Sequence, residues 1–330
     1  MNLLKKLTQA FAVSGSEDSI HELVSAEIAS YVDEIYTDNL GNLIAHKSGN
    51  SKKILFTAQT DEIGIMVTYI EDNGFLRFAP VGKFQPESAL HQKVIFPNGT
   101  VGVICAEIGT DVSGELKFTS MYIDIGTVSS EDTLKYVAHG DTAMFIGMFI
   151  KTPAALISKS LGCRASVYIL IEAAKRIKNN ANDLYFVFTS RNQIGYKGNM
   201  VVGYNIEPDY AVTVDAVAAQ DCPKSSDSAV CLGKGAVLKL MDKSVITHKG
   251  LREMLRGCAD DAGISCQVGV FPTDVSGTAA IQGTKSGVPA ASISIPVRNI
   301  NTTCETANYE DIKACIKLIE EFCKKDFIFA

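Results

Sequence analysis

Helical and strand-like hydrophobic patterns alternate at both ends of this chain, and the alternation stops between about Ile63 and Thr152. That interruption limits the fold more than any other feature. On the N-terminal side Leu3, Leu4, Leu7 and Phe11 share one helical face, Ser14-Gly15-Ser16 breaks it, and Ile20, Leu23, Val24, Ile28 and Tyr31 mark a second helix. Ile35 to Thr37 and Leu43 to His46 flank the turn formers Asp38-Asn39-Leu40-Gly41-Asn42 as a hairpin, and Lys53 to Thr57 reads as a short buried strand. Beyond Pro153 the pattern returns, with helices expected at Ser166 to Ile177, Leu251 to Ala262 and Asp311 to Phe322. Strands are expected at Leu184 to Thr189, Tyr210 to Val214 and Ala291 to Ile295, which together predict a mostly parallel α/β sheet. The middle stretch carries short alternating strands punctuated by Asp72-Asn73-Gly74, Pro97-Asn98-Gly99 and Gly109-Thr110-Asp111, with one helix near Ser130 to Tyr136. The expected division is therefore a discontinuous α/β domain, residues 1–65 with 154–330, and an inserted β-rich domain at 66–153.

With 330 residues, 46% of them hydrophobic, the chain is long and apolar enough to bury two cores. Its 31 basic and 37 acidic residues are interspersed, leaving a net charge of -6 and no basic stripe. Nucleic acid and anionic membrane surfaces are thereby excluded as expected partners. The longest apolar stretch, around Ala143 to Ile150, falls short of the ~18 residues of a membrane span, and the first residues lack a sustained apolar core of a signal peptide. The nine cysteines form no C-x-x-C pair, which fits reduced thiols and a cytoplasmic location.

In an open α/β sheet, ligands collect beyond the carboxyl ends of the strands. Four polar clusters fall there: Gln59-Thr60-Asp61-Glu62, Ser190-Arg191-Asn192-Gln193, Asp215, and Arg298-Asn299-Ile300-Asn301. A zinc site at these ends needs imidazoles, carboxylates or thiolates. Gln59, Asn192, Gln193 and Asn301 supply neutral amides, whose carbonyl oxygens bind transition metals poorly and take no proton from water at neutral pH. The residues alone describe a polar, weakly charged pocket.

The same stretches, in the same order, resemble the M42 family of metalloaminopeptidases nearly end to end. The family's S-G-x-E and D-x-L-G-N-L-I-A are similar to Ser14-Gly15-Ser16-Glu17 and Asp38 to Ala45, and its A-H-x-D-E-I-G to Ala58 to Gly64. Its I-D-I-G resembles Ile123 to Gly126, with Glu131-Asp132 and Gly140-Asp141 following. K-A-x-D-D-R resembles Lys159 to Arg164, V-Q-E-E-V-G-x-R-G resembles Ser190 to Gly198, and L-G-x-G-P resembles Leu232 to Ala236. T-D-A and S-G-V-P resemble Thr273-Asp274-Val275 and Ser286 to Pro289, leading into Ile295 to Arg298. The resemblance implies an α/β peptidase sandwich with an inserted β-barrel-like domain, a dimer or a dodecamer built from dimers, and a pair of zinc or cobalt ions.

The resemblance also implies a ligand set, which this chain mostly replaces. The first metal histidine falls on Gln59, the bridging aspartate on Gly162 beside Cys163, the metal glutamate on Gln193 and the last histidine on Asn301. The catalytic glutamate falls on Asn192, and only the strand-end aspartate is kept, as Asp215. Two dications about 3.5 Å apart beside a single carboxylate would repel one another with little to offset it, so no metal cofactor is expected. The expected function is a non-catalytic homologue that serves as a binding or assembly subunit, in a homo-oligomer or with paralogues.

The competing expectation is an active aminopeptidase with a rebuilt site, in which Cys163 would be the candidate nucleophile. A peptide ligand could outlive the chemistry in a residual pocket of Asp61, Glu62, Cys163, Arg164, Thr273, Asp274 and Arg298. Asp61 has no histidine left to orient and reads as a carboxylate bonded to nearby backbone. His21, His46, His91, His139 and His248 all fall outside the ligand positions and read as surface or structural. Glycan hydrolysis would need two carboxylates flanking a bond, and Asp61, Glu62 and Asp215 show no such pairing in the sequence.

Overall fold

The apolar run at Lys53 to Thr57 becomes an inner strand of a large sheet in the computed structural model of the protein, which describes residues 1–112, 114–224 and 230–325. Helices α1 (Asn2–Gln9) and α2 (Asp18–Ile28) precede β1 (Glu34–Thr37), β2 (Leu43–Lys47) and β3 (Lys53–Gln59). The chain then builds β4 (Gly64–Ile70), β5 (Leu76–Val81), α3 (Pro86–Ala89), β6 (Lys93–Ile95), β7 (Val101–Ala106), β8 (Met121–Asp124), α4 (Ser130–Thr133) and β9 (Thr142–Phe145). It returns through β10 (Ile150–Lys151), β11 (Leu156–Ser158), α5 (Leu161–Arg176), β12 (Asp183–Thr189), α6 (Lys197–Ile206) and β13 (Tyr210–Ala218). The last elements are β14 (Ala236–Asp242), α7 (Lys249–Asp261), β15 (Cys266–Phe271), α8 (Gly277–Gln282), β16 (Ala290–Arg298), β17 (Glu305–Ala307) and α9 (Tyr309–Cys323).

Eleven strands form one mixed sheet, in the order β1-β2-β12-β3-β13-β16-β17-β11-β10, with β14 joining β16 to β15. The expectation of a mostly parallel sheet needs correction. Only β12/β3, β3/β13, β13/β16 and β14/β15 pair in parallel, while the hairpin β1/β2 and the returning strands β17, β11 and β10 pair antiparallel. Helices supply the crossovers of the parallel pairs, α7 between β14 and β15 included, while short connections make β1/β2, β10/β11 and β16/β17 antiparallel neighbours.

Helices cover both faces of this sheet. Helix α5 lies against β3 and β13, and its Val167, Ile169, Leu170 and Ile171 share one core with Leu4, Leu7, Phe56, Phe186 and Phe322. On the other face, Val202 and Ile206 of α6 and Ile281 of α8 pack with Leu55, Val187 and Ala211. Helices α6 and α8, with strands β14 and β15, had no clear signature in the sequence. Gly198 and Gly203 interrupt the apolar pattern of α6: a Cβ at Gly198 would fall 2.4 Å from the Ser190 carbonyl oxygen, and Gly203 packs closely on the Thr284 side chain.

Strands β4-β5-β8-β7-β6-β9 close into a barrel around Ile65, Leu76, Val94, Ile104, Met121, Ile123 and Ala143. Closure removes the free edges that such short strands would otherwise expose. The α/β layers with a closed six-stranded barrel between β3 and β10 match the fold expected from the sequence. No helix among the described residues is long and apolar enough to cross a membrane.

Candidate functional site

Parallel strands β12, β3, β13 and β16 run in one direction, so their carboxyl ends fall at one edge of the sheet beside the N-terminus of α5. A cavity of about 580 Å³ opens there, roofed by Lys83, Phe84 and Gln85 of the barrel segment. The fold brings Gln59, Gly162, Asn192, Gln193, Asp215 and Asn301 together in its wall, although they are scattered over more than 200 residues of sequence. Glu62, Cys163, Thr273 and Asp274 line it too, while Asp61, Arg164 and Arg298 do not.

The three residues outside the wall have their own partners. Asp61 is buried behind Asn192, accepting the backbone N–H of Gln193 at 2.7 Å and Asn192 Nδ2 at 3.1 Å. Burial raises its pKa, against the pull of those donors. Arg164, on α5, donates to Glu62 Oε1 at 2.9 Å and to the Ala10 carbonyl. Arg298 turns away to Asp221, with two bonds of 2.8 and 2.6 Å.

Asp215 projects from β13 into a ready-made set of donors. Lys239 Nζ of β14 lies 2.8 Å from its Oδ2, and the hydroxyls of Ser292 and Ser294 on β16 both donate to its Oδ1. Lys239 is itself withdrawn from solvent; burial alone would lower its pKa, but Asp215 and Asp242 overcome that and hold it raised.

Glu62 is the second closed cluster. It accepts Lys159 Nζ at 2.6 Å, Arg164 Nη2 at 2.9 Å and the Ser160 hydroxyl. Burial works to raise its pKa, and the two cations outweigh burial and keep it ionised. At the third cluster, Glu305 of β17 accepts the backbone N–H of Gly162 at 2.7 Å and of Asn301 at 2.8 Å. Burial pushes its carboxyl up to about 7 in spite of both donors.

The amides do not form a network of their own. Asn192 Nδ2 bonds Asp61, the Thr189 carbonyl and the Thr189 hydroxyl, while Gln59 Nε2 reaches only the Asp61 carbonyl at 3.5 Å. Among the described residues no hydrogen bond joins any two of Gln59, Asn192, Gln193 and Asn301. Cys163 donates to the Ser160 carbonyl at 3.2 Å, and burial pushes its thiol up to about 12, so its thiolate is scarce at neutral pH. His21 is buried against the Thr60 hydroxyl, with its pKa lowered by burial to about 4, and His46 bonds Asp183.

Sequence reasoning did not single out Lys159, Lys239, Ser292, Ser294 or Glu305. Lys159 precedes Gly162 by three residues and Glu305 follows Asn301 by four, so proximity to the candidate positions was the available signal for those two. Lys239 and the two serines lie inside strands, and only the parallel register of β13 and β16 and the pairing of β14 bring them to Asp215.

Comparison with known proteins follows the same lines. A model of the M42 glutamyl aminopeptidase family matches residues 41–318. A chain of Acetivibrio thermocellus provisionally named an aminopeptidase is 41% identical over 320 residues, covering 97% of both chains. The lysyl aminopeptidase of Pyrococcus furiosus is 30% identical over 98% of both. Among solved structures, the TET1 peptidase of Pyrococcus horikoshii, which can assemble into a tetrahedron or a large octahedral shell, superposes with a TM-score of 0.87 at 31% identity, covering 97% of this chain and 98% of its own.

Proposed function

This chain belongs to the M42 glutamyl aminopeptidase family, and from that premise we propose that it is a member that keeps the fold and the assembly role without metal-dependent hydrolysis. One observation carries this reading. Asp215, the carboxylate retained at a position where the family resemblance implies a metal ligand, is already engaged on both oxygens by Lys239, Ser292 and Ser294.

The remaining donors do not fit a pair of divalent cations. Gln59, Gln193 and Asn301 offer amide oxygens, Gly162 offers no side chain, Glu62 is held by two cations and Glu305 by two backbone N–H groups, which leaves Asp274 as the further carboxylate of the wall. At the position of the general base, Asn192 has no basic lone pair to take a proton from water, and its amide N–H₂ is spent on Asp61 and Thr189. A thiol route finds no support either, because desolvation raises the pKa of the half-buried Cys163 and no imidazole lines the cavity. By likeness to the shell-forming TET1 peptidase, we assign the chain to a homo-oligomer of that kind.

The test is metal content by mass spectrometry after dialysis against zinc or cobalt, paired with an assay on a panel of aminoacyl substrates. The expected result is no stoichiometric metal and no turnover. About two metals per chain with release of amino acids would overturn the proposal.

A further inference from the structure

Gly162 and Ala216 face each other across the floor of the cavity, and their approach says more than the missing ligands do. A Cβ built on Gly162 lies 2.7 Å from the Ala216 Cβ and 3.5 Å from Glu305 Oε2. Carbon atoms in contact sit about 3.5 to 4.0 Å apart, so any side chain at 162 requires one backbone to move.

Both backbones are tethered by their neighbours. Ala216 lies in β13, paired in register with Ile295 of β16 on one side, and the same strand is bonded to β3 on the other. Gly162 sits in the first turn of α5, where Ser160 takes a left-handed conformation, Leu161 is fully buried and Arg164 is tied to Glu62. Its N–H is held by Glu305. The Ala216 methyl offers no rotamer that could relieve the contact, unlike the end of a long side chain.

We infer that the contact between α5 and β13 at Gly162 and Ala216 closes the centre to a second metal ion, so that restoring the ligand side chains does not restore the metal pair. This rests on the proposed metal-free state and adds to it: the loss resides in backbone packing as well as in side-chain identity. Of the positions where the resemblance implies a metal ligand, the one expected to bridge two ions is a glycine whose Cβ would meet the Ala216 methyl.

The experiment compares zinc stoichiometry of three full-length proteins: the wild type, a ligand-restored variant (Gln59→His, Gly162→Asp, Gln193→Glu, Asn301→His), and that variant with Ala216→Gly. The expected result is no zinc in the first, no more than one per chain in the second and a gain of one in the third. Two zinc ions in the restored variant with Ala216 intact would overturn the packing lock while leaving the proposed function standing. Two in the wild type would overturn both. A simpler pair keeps the question open to refutation where the restored variants fail to fold. Gly162→Ala should lower the thermal midpoint by about 5 °C, and by clearly less in an Ala216→Gly background than in the wild type. Equal effects of Gly162→Ala in both backgrounds would refute the lock.

Discussion

Lys159 Nζ lies 2.6 Å from Glu62 Oε2, with the two side chains only 2% and 1% exposed. Arg164, fully buried, meets the other oxygen of the same carboxylate. One anion therefore balances two cations in the interior, joining the end of β3 to the start of α5. Removing the anion strands both cations away from water, where an unpaired charge is far more costly than the pair is favourable. Glu62→Gln should destabilise the protein by about 3–5 kcal/mol, read as a shift in the urea midpoint at unchanged slope. A loss under about 1 kcal/mol would show that water reaches the cluster.

Glu305 supplies a pH dependence whose sign follows from its raised pKa. The folded value is about 7 against 4.5 for the free side chain, so between these the native state holds a proton that the unfolded chain has released. The stability it contributes is complete below about 4.5 and is lost as pH rises through about 7. Glu305→Gln, which cannot ionise, should remove on the order of 2–3 kcal/mol of the difference in stability between pH 5 and pH 8. Urea unfolding of both proteins at the two pH values checks this, and parallel pH profiles would refute it.

Chelation separates a metal-dependent fold from one closed by its own charges. A resident ion bound only by the native state would raise stability through linkage, and its removal would lower the thermal midpoint. With Asp215 neutralised by Lys239 and Glu62 by Lys159 and Arg164, millimolar EDTA should move the midpoint by less than about 1 °C and leave the oligomer size unchanged. Dissociation or a clear fall on chelation would contradict the closed-charge description.

The sequence exposed the strand ends better than it exposed their neighbours. Buried runs such as Lys53 to Thr57 and Leu184 to Thr189 have an apolar signature, and the polar residues that follow them converge because parallel strands end at one edge. The charge partners were hidden for the opposite reason. Lys239 sits within β14 between apolar residues, and no local pattern shows that β14 pairs beside β16, which in turn carries Ser292 and Ser294 to Asp215. Arg298 illustrates the reverse error: its place after a core strand suggested the pocket, whereas its guanidinium is claimed by Asp221. The antiparallel flank of β17, β11 and β10 was likewise invisible, unlike the β1/β2 hairpin, since strand β10 has two residues and β17 three, too few for a periodic signal.

Asn192 offers the sharpest single substitution, because it sits where the resemblance implies a general base. Its Nδ2 donates to the buried Asp61 carboxylate, whose pKa is raised by burial. Asn192→Glu removes that donor and sets a second carboxyl beside the first, so the pair is expected to share a proton rather than ionise fully. Each shared proton is released on unfolding at neutral pH, and the variant's deficit therefore grows as pH rises: about 1 kcal/mol at pH 5 and on the order of 3 kcal/mol at pH 8. Without a metal to polarise substrate or water, the restored carboxylate should produce no aminopeptidase turnover in the presence of zinc or cobalt. Turnover in this variant would mean that Asn192 alone silences the site, and a stability that does not fall with pH relative to wild type would mean that Asp61 is not its partner in solution.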